Sequence, residues 1–266
     1  MPLEVCATPI GNLDDVTLRV LAALRDADVV LAEDTRRTRT LLERHAIEAR
    51  LLSLHEHNEA ARTAELLPRL QAGERMALVS DAGMPAVSDP GARLVRAALA
   101  AGVEVTVLPG PSAVETALVA SGNGGGAYAF VGFLPRRRGA LTATLRALRS
   151  WPGAVVAFES PQRLPATLRA LAELEPEREV AVCRELTKRF EQVARGRAAA
   201  LAERFATAPK GEITLVLAAA PHEPDQHSSR AAVAELVAAG TPRRVAADVV
   251  ARLTDVSRND LYRATL

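Results

Sequence analysis

Four short segments of this 266-residue chain are crowded with glycine, proline and acidic residues. Such residues set tight backbone paths that let a ligand approach main-chain N–H and C=O groups. The segments are Thr8-Pro9-Ile10-Gly11-Asn12-Leu13, Glu33 to Arg39, Ser80 to Gly91, and Pro109-Gly110-Pro111-Ser112-Ala113. None carries a phosphate-loop spacing, so recognition through phosphate is not indicated. Asp81 and Asp89 instead suit a ligand bearing positive charge or ribose hydroxyls, and an adenosyl sulfonium has both. One such loop is weak evidence, because ordinary turns use the same residues; four at one edge of a sheet are stronger.

The basic residues carry a second signal. Of 33 Lys and Arg side chains, only Lys188 and Lys210 are lysines. A lysine is a compact charge whose pKa can fall on burial, whereas arginine stays protonated, so these two are candidates for work an arginine cannot do. Arginines also cluster, at Arg36, Arg37 and Arg39 and at Arg136-Arg137-Arg138. With a net charge of +1, any nucleic-acid binding must come from such local patches. Aromatic residues are only 3%, so recognition is expected to lean on backbone charge and folded shape more than on stacking. His55 and His57 would share a face of an extended strand, but two histidines without a third ligand make a poor metal site, and no metal is expected.

The elements that position these loops alternate between strand and helix. Apolar runs mark strands at Leu3 to Ala7, Val29 to Ala32, Leu51 to Leu54, Met76 to Val79 and Val103 to Leu108, with helical periodicity between them. Asn58 stands where a helix cap is needed. The pattern predicts an open, mostly parallel sheet with helices on both faces, and ligands then bind at the carboxyl ends of the strands, where the four loops fall. Gly122 to Gly126 reads as a domain connection. Beyond it, strands near Tyr128 to Phe133, Ala154 to Phe158, Glu179 to Arg184, Phe190 to Ala194 and Ile213 to Ala218 predict a mixed sheet, because the last crossings are short enough for antiparallel neighbours. Pro221 to Ser229 reads as a polar link to a small helical appendage, whose end resembles a helix-turn-helix pair capped by Ser257. The expected organisation is an α/β domain over 1–121, a second over 122–220, and a helical appendage over 229–266.

The bulk composition, with 48% hydrophobic and 24% charged residues, is that of an ordinary globular enzyme. No apolar run approaches the roughly 20 residues of a membrane span, and no signal peptide precedes the first strand, so a cytoplasmic location without membrane contact is expected. Cys6 and Cys183 lie inside apolar strands and are expected as buried free thiols.

Taken together, Pro9-Ile10-Gly11-Asn12-Leu13, Glu33-Asp34-Thr35-Arg36, Ser80-Asp81-Ala82-Gly83-x-Pro85 and Asp89-Pro90-Gly91 resemble the ribosomal RNA small subunit methyltransferase I family. So do Leu108 to Ala113, Gly132-Phe133-Leu134-Pro135, Glu159-Ser160-Pro161-x-Arg163-Leu164, Arg184-Glu185-Leu186-Thr187-Lys188 and Lys210-Gly211-Glu212. The resemblance runs in order along nearly the whole chain, including the helical tail. It implies a tetrapyrrole methylase-like, class III methyltransferase fold, with S-adenosylmethionine held between two α/β domains and usually a homodimer. It also implies 2′-O-methylation of the decoding-centre cytidine of 16S rRNA in the small ribosomal subunit. Small-molecule tetrapyrrole methylases generally have a glycine-richer first loop than Pro9-Ile10-Gly11, which favours the ribosomal branch.

On that resemblance, Asp81, Ala82, Gly83, Ser112 and Ala113 are the foremost cofactor contacts, with Pro9 and Leu13 nearby and Leu186, Gly211, Glu212 and Ile213 closing from the second domain. A ribose hydroxyl is a poor nucleophile, so a base or strong orientation is needed. Lys188 is the candidate, with Glu33 and Asp34 as carboxylate alternatives; Lys188 as a grip on phosphate is equally open. Arg36, Arg37, Arg39, Arg136, Arg137, Arg138 and Arg163 form the expected RNA-binding set. A tetrapyrrole-type small-molecule methyltransferase is the competing reading, and a non-catalytic ribosome-assembly factor the third. The former predicts a cleft without flanking arginines, and the latter predicts no binding of S-adenosylmethionine.

Overall fold

A computed structural model of the chain describes residues 2–220, 226–254 and 256–264. Met1–Ala220 form one compact unit and Pro221–Leu266 a second.

The first unit opens with β1 (Leu3–Cys6), α1 (Leu18–Asp26), β2 (Val29–Ala32), α2 (Thr35–Arg44), β3 (Leu51–Ser53), α3 (Glu59–Gln71), β4 (Met76–Val79), α4 (Ala92–Ala100), β5 (Val105–Leu108) and α5 (Ala113–Ser121). Its five strands form an all-parallel sheet in the order β3-β2-β4-β1-β5. Strand periodicity explains the two cores on either side. Val30 and Ala32 point with Cys6, Ala77 and Val79 into a cluster closed by Leu21, Leu24, Leu41 and Leu42 of α1 and α2. Val29 and Leu31 point the other way, with Leu3, Val5 and Leu78, against Leu66, Leu70 and Leu94 of α3 and α4. Such strands, covered on both faces, read as unbroken apolar runs.

The chain continues through β6 (Tyr128–Phe133), α6 (Arg138–Leu148), β7 (Ala154–Glu159), α7 (Leu164–Leu174), β8 (Glu179–Arg184), β9 (Gln192–Arg197), α8 (Ala198–Arg204) and β10 (Ile213–Leu217). This sheet is mixed, in the order β6-β7-β10-β8-β9, with only β6 and β7 parallel. One face packs on α6, α7 and α8 through Leu145, Leu168 and Leu201. The other face, through Val156, Cys183 and Val216, packs on Val114, Ala117 and Leu118 of α5 and on Ile10. Helix α5 therefore leaves the parallel sheet and lies against the mixed one, so the two sheets share a core along one side of the cleft between them.

Three expectations shift. The ninth strand starts at Gln192, not Phe190, because residues 185–191 form a tight loop with Glu185 and Thr187 at positive φ and the Thr187 N–H bonded to the Glu191 carboxylate. The fifth strand starts at Val105. Asn58 stands at the start of α3 without capping it, because its side chain accepts from the His55 N–H and donates to the Ser53 carbonyl instead. Cys6 and Cys183 are free and buried, and burial pushes their thiols up to about 12 and about 11.

The second unit contains α9 (Gln226–Ala238), α10 (Arg243–Leu253) and α11 (Arg258–Arg263) around Val233, Ala246, Ala247, Val250, Val256 and Leu261. Ser257 precedes α11 without a side-chain bond to it. Residues 221–225 of the expected polar link, and Asp255 in the turn of the expected helix pair, lie outside the described residues.

Candidate active site

The loops after β1, β2, β4 and β5 meet the ends of β6 and β7 and the turn before β10 around a cleft of about 520 Å³. Ile10, Glu33, Arg37, Asp81 to Met84, Asp89, Ser112 and Ala113 line it from the parallel sheet, and Phe133, Phe158 to Pro161 and Gly211 to Thr214 from the mixed one. A smaller cavity of about 260 Å³ adjoins it, sharing Ile10, Arg37, Asp81, Ala82 and Glu212 and adding Pro9, Gly11, Leu13 and Lys188.

The loops hold one another by close backbone contact. Thr8 and Gly83 exchange main-chain hydrogen bonds of 2.8 and 3.0 Å, which joins the first loop to the third. The Asn12 N–H donates to Thr187 Oγ1 at 3.0 Å, and a Cβ on Gly11 would fall 2.5 Å from Lys188 Cγ and 2.8 Å from the Leu186 carbonyl oxygen. Glycine is required there by proximity: the first loop lies directly on the segment that carries Lys188.

Two sets of charges face the cavities. On the parallel-sheet side, Glu33, Asp81 and Asp89 share the large cleft. Burial, then the neighbouring Glu33 and Asp81 charges, push the Asp89 carboxyl up to about 7 despite a hydrogen bond from Ser80. Glu33 is raised for the same reasons, burial first and Asp81 next. Arg37 pairs with Asp81 at 3.5 Å, and among the described residues no other cation forms an ion pair with the three. On the mixed-sheet side, Lys188 Nζ lies 3.0 Å from Glu185 and 2.8 Å from Glu212. Burial pushes this ammonium down, but hydrogen bonds to Glu212 and Glu185 outweigh it and leave its pKa raised. The expectation that burial lowers the Lys188 pKa is thus overturned, because two carboxylates meet the charge.

Most of the residues expected to hold a cofactor come together. Asp81, Ala82, Gly83, Ser112, Ala113, Gly211, Glu212 and Ile213 line the large cleft, and Pro9 and Leu13 the smaller cavity. Leu186 is buried in the apolar cluster beneath Ile10 and lines neither. Of the carboxylates considered as bases, Glu33 lines the cleft, but Asp34 does not. Asp34 caps α2 through the Arg36 N–H, and hydrogen bonds from Arg36 hold it down at about 2, which makes it a poor proton acceptor at neutral pH.

The arginines divide similarly. Arg36 pairs with Asp34 and Arg138 with Glu173, both on the surface. Arg39, Arg136 and Arg137 are exposed and form no ion pair among the described residues, so all three are open to an anionic partner. Arg163 is different: it pairs with the buried Glu159 at 2.9 Å and donates to the Leu134 carbonyl, which makes it a strut under the β6 and β7 ends instead of a surface contact.

Sequence reasoning passed over Ile10, Met84, Phe133, Phe158 and Pro161 as cleft-lining residues and left Asp89 out of the reacting set. A glycine directly before an aromatic near a strand end, as in Gly132-Phe133, was a usable signal for a bulge that re-aims the side chain.

With this geometry in view, the chain matches the family model "Tetrapyrrole (Corrin/Porphyrin) Methylases" over residues 5–202. Its fold is similar to that of a diphthine synthase, with a TM-score of 0.65 and 18% identity over 82% of this chain and 89% of that one. It is also similar to a uroporphyrin-III C-methyltransferase from Thermus thermophilus complexed with S-adenyl homocysteine, with a TM-score of 0.59 and 20% identity over 81% and 96% of the two chains. The fold and its arrangement of loops are those of the tetrapyrrole methylase class. Within it, the chain is 44% identical to a ribosomal RNA small subunit methyltransferase I of Mesorhizobium japonicum, over 99% of this chain and 91% of that protein. Counterparts of the same name from Thermotoga maritima and Mycobacterium tuberculosis are 45% and 46% identical, over 81% and 98% of this chain and 97% and 93% of theirs. The chain belongs to the ribosomal RNA small subunit methyltransferase I family.

Proposed function

We propose that this protein methylates 16S rRNA in the small ribosomal subunit with S-adenosylmethionine as donor, and that the acceptor is the ribose 2′-hydroxyl of the decoding-centre cytidine. The observation that carries this reading is the near-full-length identity to relatives named for small-subunit rRNA methylation. The cleft's chemistry fits the donor. An acidic floor of Glu33, Asp81 and Asp89, with Arg37 as its sole ion-pair partner among the described residues, suits a ligand that brings positive charge. Asp81, Ala82, Gly83, Ser112 and Ala113 would hold it from one sheet and Gly211, Glu212 and Ile213 from the other, with Pro9 and Leu13 beside it and Leu186 supporting from below. When bound, S-adenosylmethionine supplies an electrophilic methyl group on a positively charged sulfur.

The protein's share of the work is orientation, exclusion of water and management of one proton. Asp89, with a carboxyl near 7 in the cleft, is the group best matched to accept a hydroxyl proton at neutral pH, with Glu33 beside it. Lys188 is held as a cation and acts by fixing Glu185 and Glu212 at the wall, a place from which it can also meet a phosphate. Arg37, Arg39, Arg136 and Arg137 offer positive charge to the RNA backbone. Residues 1–121 and 122–220 act as the two α/β domains about the cleft, with 229–266 an appendage, in a cytoplasmic homodimer. Among the described residues no helix is long and apolar enough to cross a membrane.

The test is transfer from labelled S-adenosylmethionine to small subunits from cells that lack this activity, mapped by nuclease digestion and mass spectrometry. Label on a single ribose of the decoding region is the expected result. Cofactor binding without label on subunits or free RNA would move the small-molecule reading to the front.

A further inference from the structure

The rim of the large cleft carries an aromatic platform. Strand β6 advances three residues, Phe130 to Phe133, while β7 advances two, Val156 to Phe158. Gly132, within that bulge, has a φ of 66°, and a Cβ there would lie 3.3 Å from Ser88 Oγ. A bulge turns the side chain that follows it, and the Phe133 ring lines the cleft while remaining 60% exposed. Phe158 supports it edge-to-face at 5.5 Å and is itself braced by Phe130 at 4.9 Å. Val87, which lines the same cleft, is 48% exposed between Ala86 and Ser88, two residues without the freedom of glycine that both adopt φ of 66°. Strained backbone concentrates where a ligand is gripped.

A large ring thus stands exposed on a braced strand end and shares the cleft wall with a strained loop. Arg136 and Arg137 follow it at once, exposed and without ion pairs among the described residues. An aromatic face beside unpaired arginines is the arrangement that holds single-stranded nucleic acid, the ring taking a base and the guanidinium groups the backbone. The positive donor belongs on the acidic floor, which leaves the apolar rim for the acceptor.

We propose that Phe133, aimed by the Gly132 bulge, stacks on the base of the acceptor nucleotide and so fixes its ribose over the cleft. This rests on the rRNA-methylation reading and names the specificity-determining residue of that same site.

The experiment uses the full chain and a short single-stranded RNA with one fluorescent cytosine analogue. It is accompanied by the S-adenosylmethionine dissociation constant from calorimetry and the KM for small subunits. Phe133→Ala is expected to weaken RNA binding and raise the subunit KM roughly tenfold, the loss of one base stack. It should also remove quenching of the analogue and leave donor affinity unchanged. Phe133→Tyr should restore all three, and Gly132→Ala should reproduce the defect with the ring still present. Unchanged RNA binding in Phe133→Ala overturns the proposal. So does a fall in donor affinity with RNA binding intact, which would give the ring to the donor's adenine. If wild-type protein labels no subunits yet binds the RNA through Phe133, the function reading fails and the platform stands; if subunits are labelled equally by Phe133→Ala, the platform alone fails.

Discussion

The two groups of carboxylates beside the cleft behave in opposite ways. Glu33, Asp81 and Asp89 are brought together by the loops after two parallel strands, β2 and β4. Burial raises Asp89 and Glu33, and the charge of Glu33 on the former and of Asp81 on the latter adds to it. Glu185 and Glu212 enclose Lys188, and Glu185 is lowered, first by the Glu212 N–H at 2.9 Å and also by the lysine. The second group supplies its own cation and is electrostatically complete. Among the described residues the first has only Arg37 as an ion-pair partner, which leaves it open to positive charge or a proton. Composition does not separate an uncompensated acidic cluster from a structural clamp; the presence of an internal counter-ion does.

Asp89→Asn should break the first group most sharply. The expected loss in kcat is about 10²-fold or more, the usual contribution of a positioned base. In the wild type, kcat/KM should fall as pH drops below about 7, and the variant should lose that limb. The same substitution should stabilise the fold. The folded Asp89 carboxyl is raised from 3.8 to about 7, so the folded state binds the proton more tightly than the unfolded one. That contribution to stability is present below pH 4 and lost as pH rises through 7. At pH 8, Asp89→Asn should therefore melt higher by roughly 2–4 °C, as about 1 kcal/mol would give in a chain of this length. A lower melting temperature at pH 8 would sink the reading of an uncompensated acidic floor.

Gly211→Ala tests the clamp. Gly211 has a φ of 98°, and its Cβ would fall 2.4 Å from Glu185 Cγ, so the carboxylate that holds Lys188 must move. Chemical denaturation should show a loss of about 2–4 kcal/mol. Lys188→Arg should have the smallest effect. The charge is kept, so less than about a tenfold loss in kcat is expected, with an unchanged pH profile. A loss of about 10³-fold would restore the lysine to the role of base.

The fold was legible where local pattern and burial agree. Val29 to Ala32 and Met76 to Val79 read as strands because both sheet faces are covered, and the structure places them at those bounds. The mixed character of the second sheet followed from connection length alone. Reading failed at 185–191, where Phe190 extends an apolar pattern but side-chain hydrogen bonds to the main chain turn the loop aside. The loops that line the cleft were legible because their glycines and prolines announce turns.

The sequence by itself determined which loops reach the cleft, since strand order along the chain and the right-handed crossover leave little choice of edge. Only the tertiary structure decided what each charge does. Lys188 is locked as a cation by Glu212, which is 24 residues away in sequence, and the Asp89 pKa is raised by burial and then by Glu33 at the end of another strand. Arg163 is drawn inward by a buried glutamate, and Phe133 is turned to the rim by one extra residue in β6. Charge and exposure are properties of neighbours in space, and those neighbours come from distant parts of the chain.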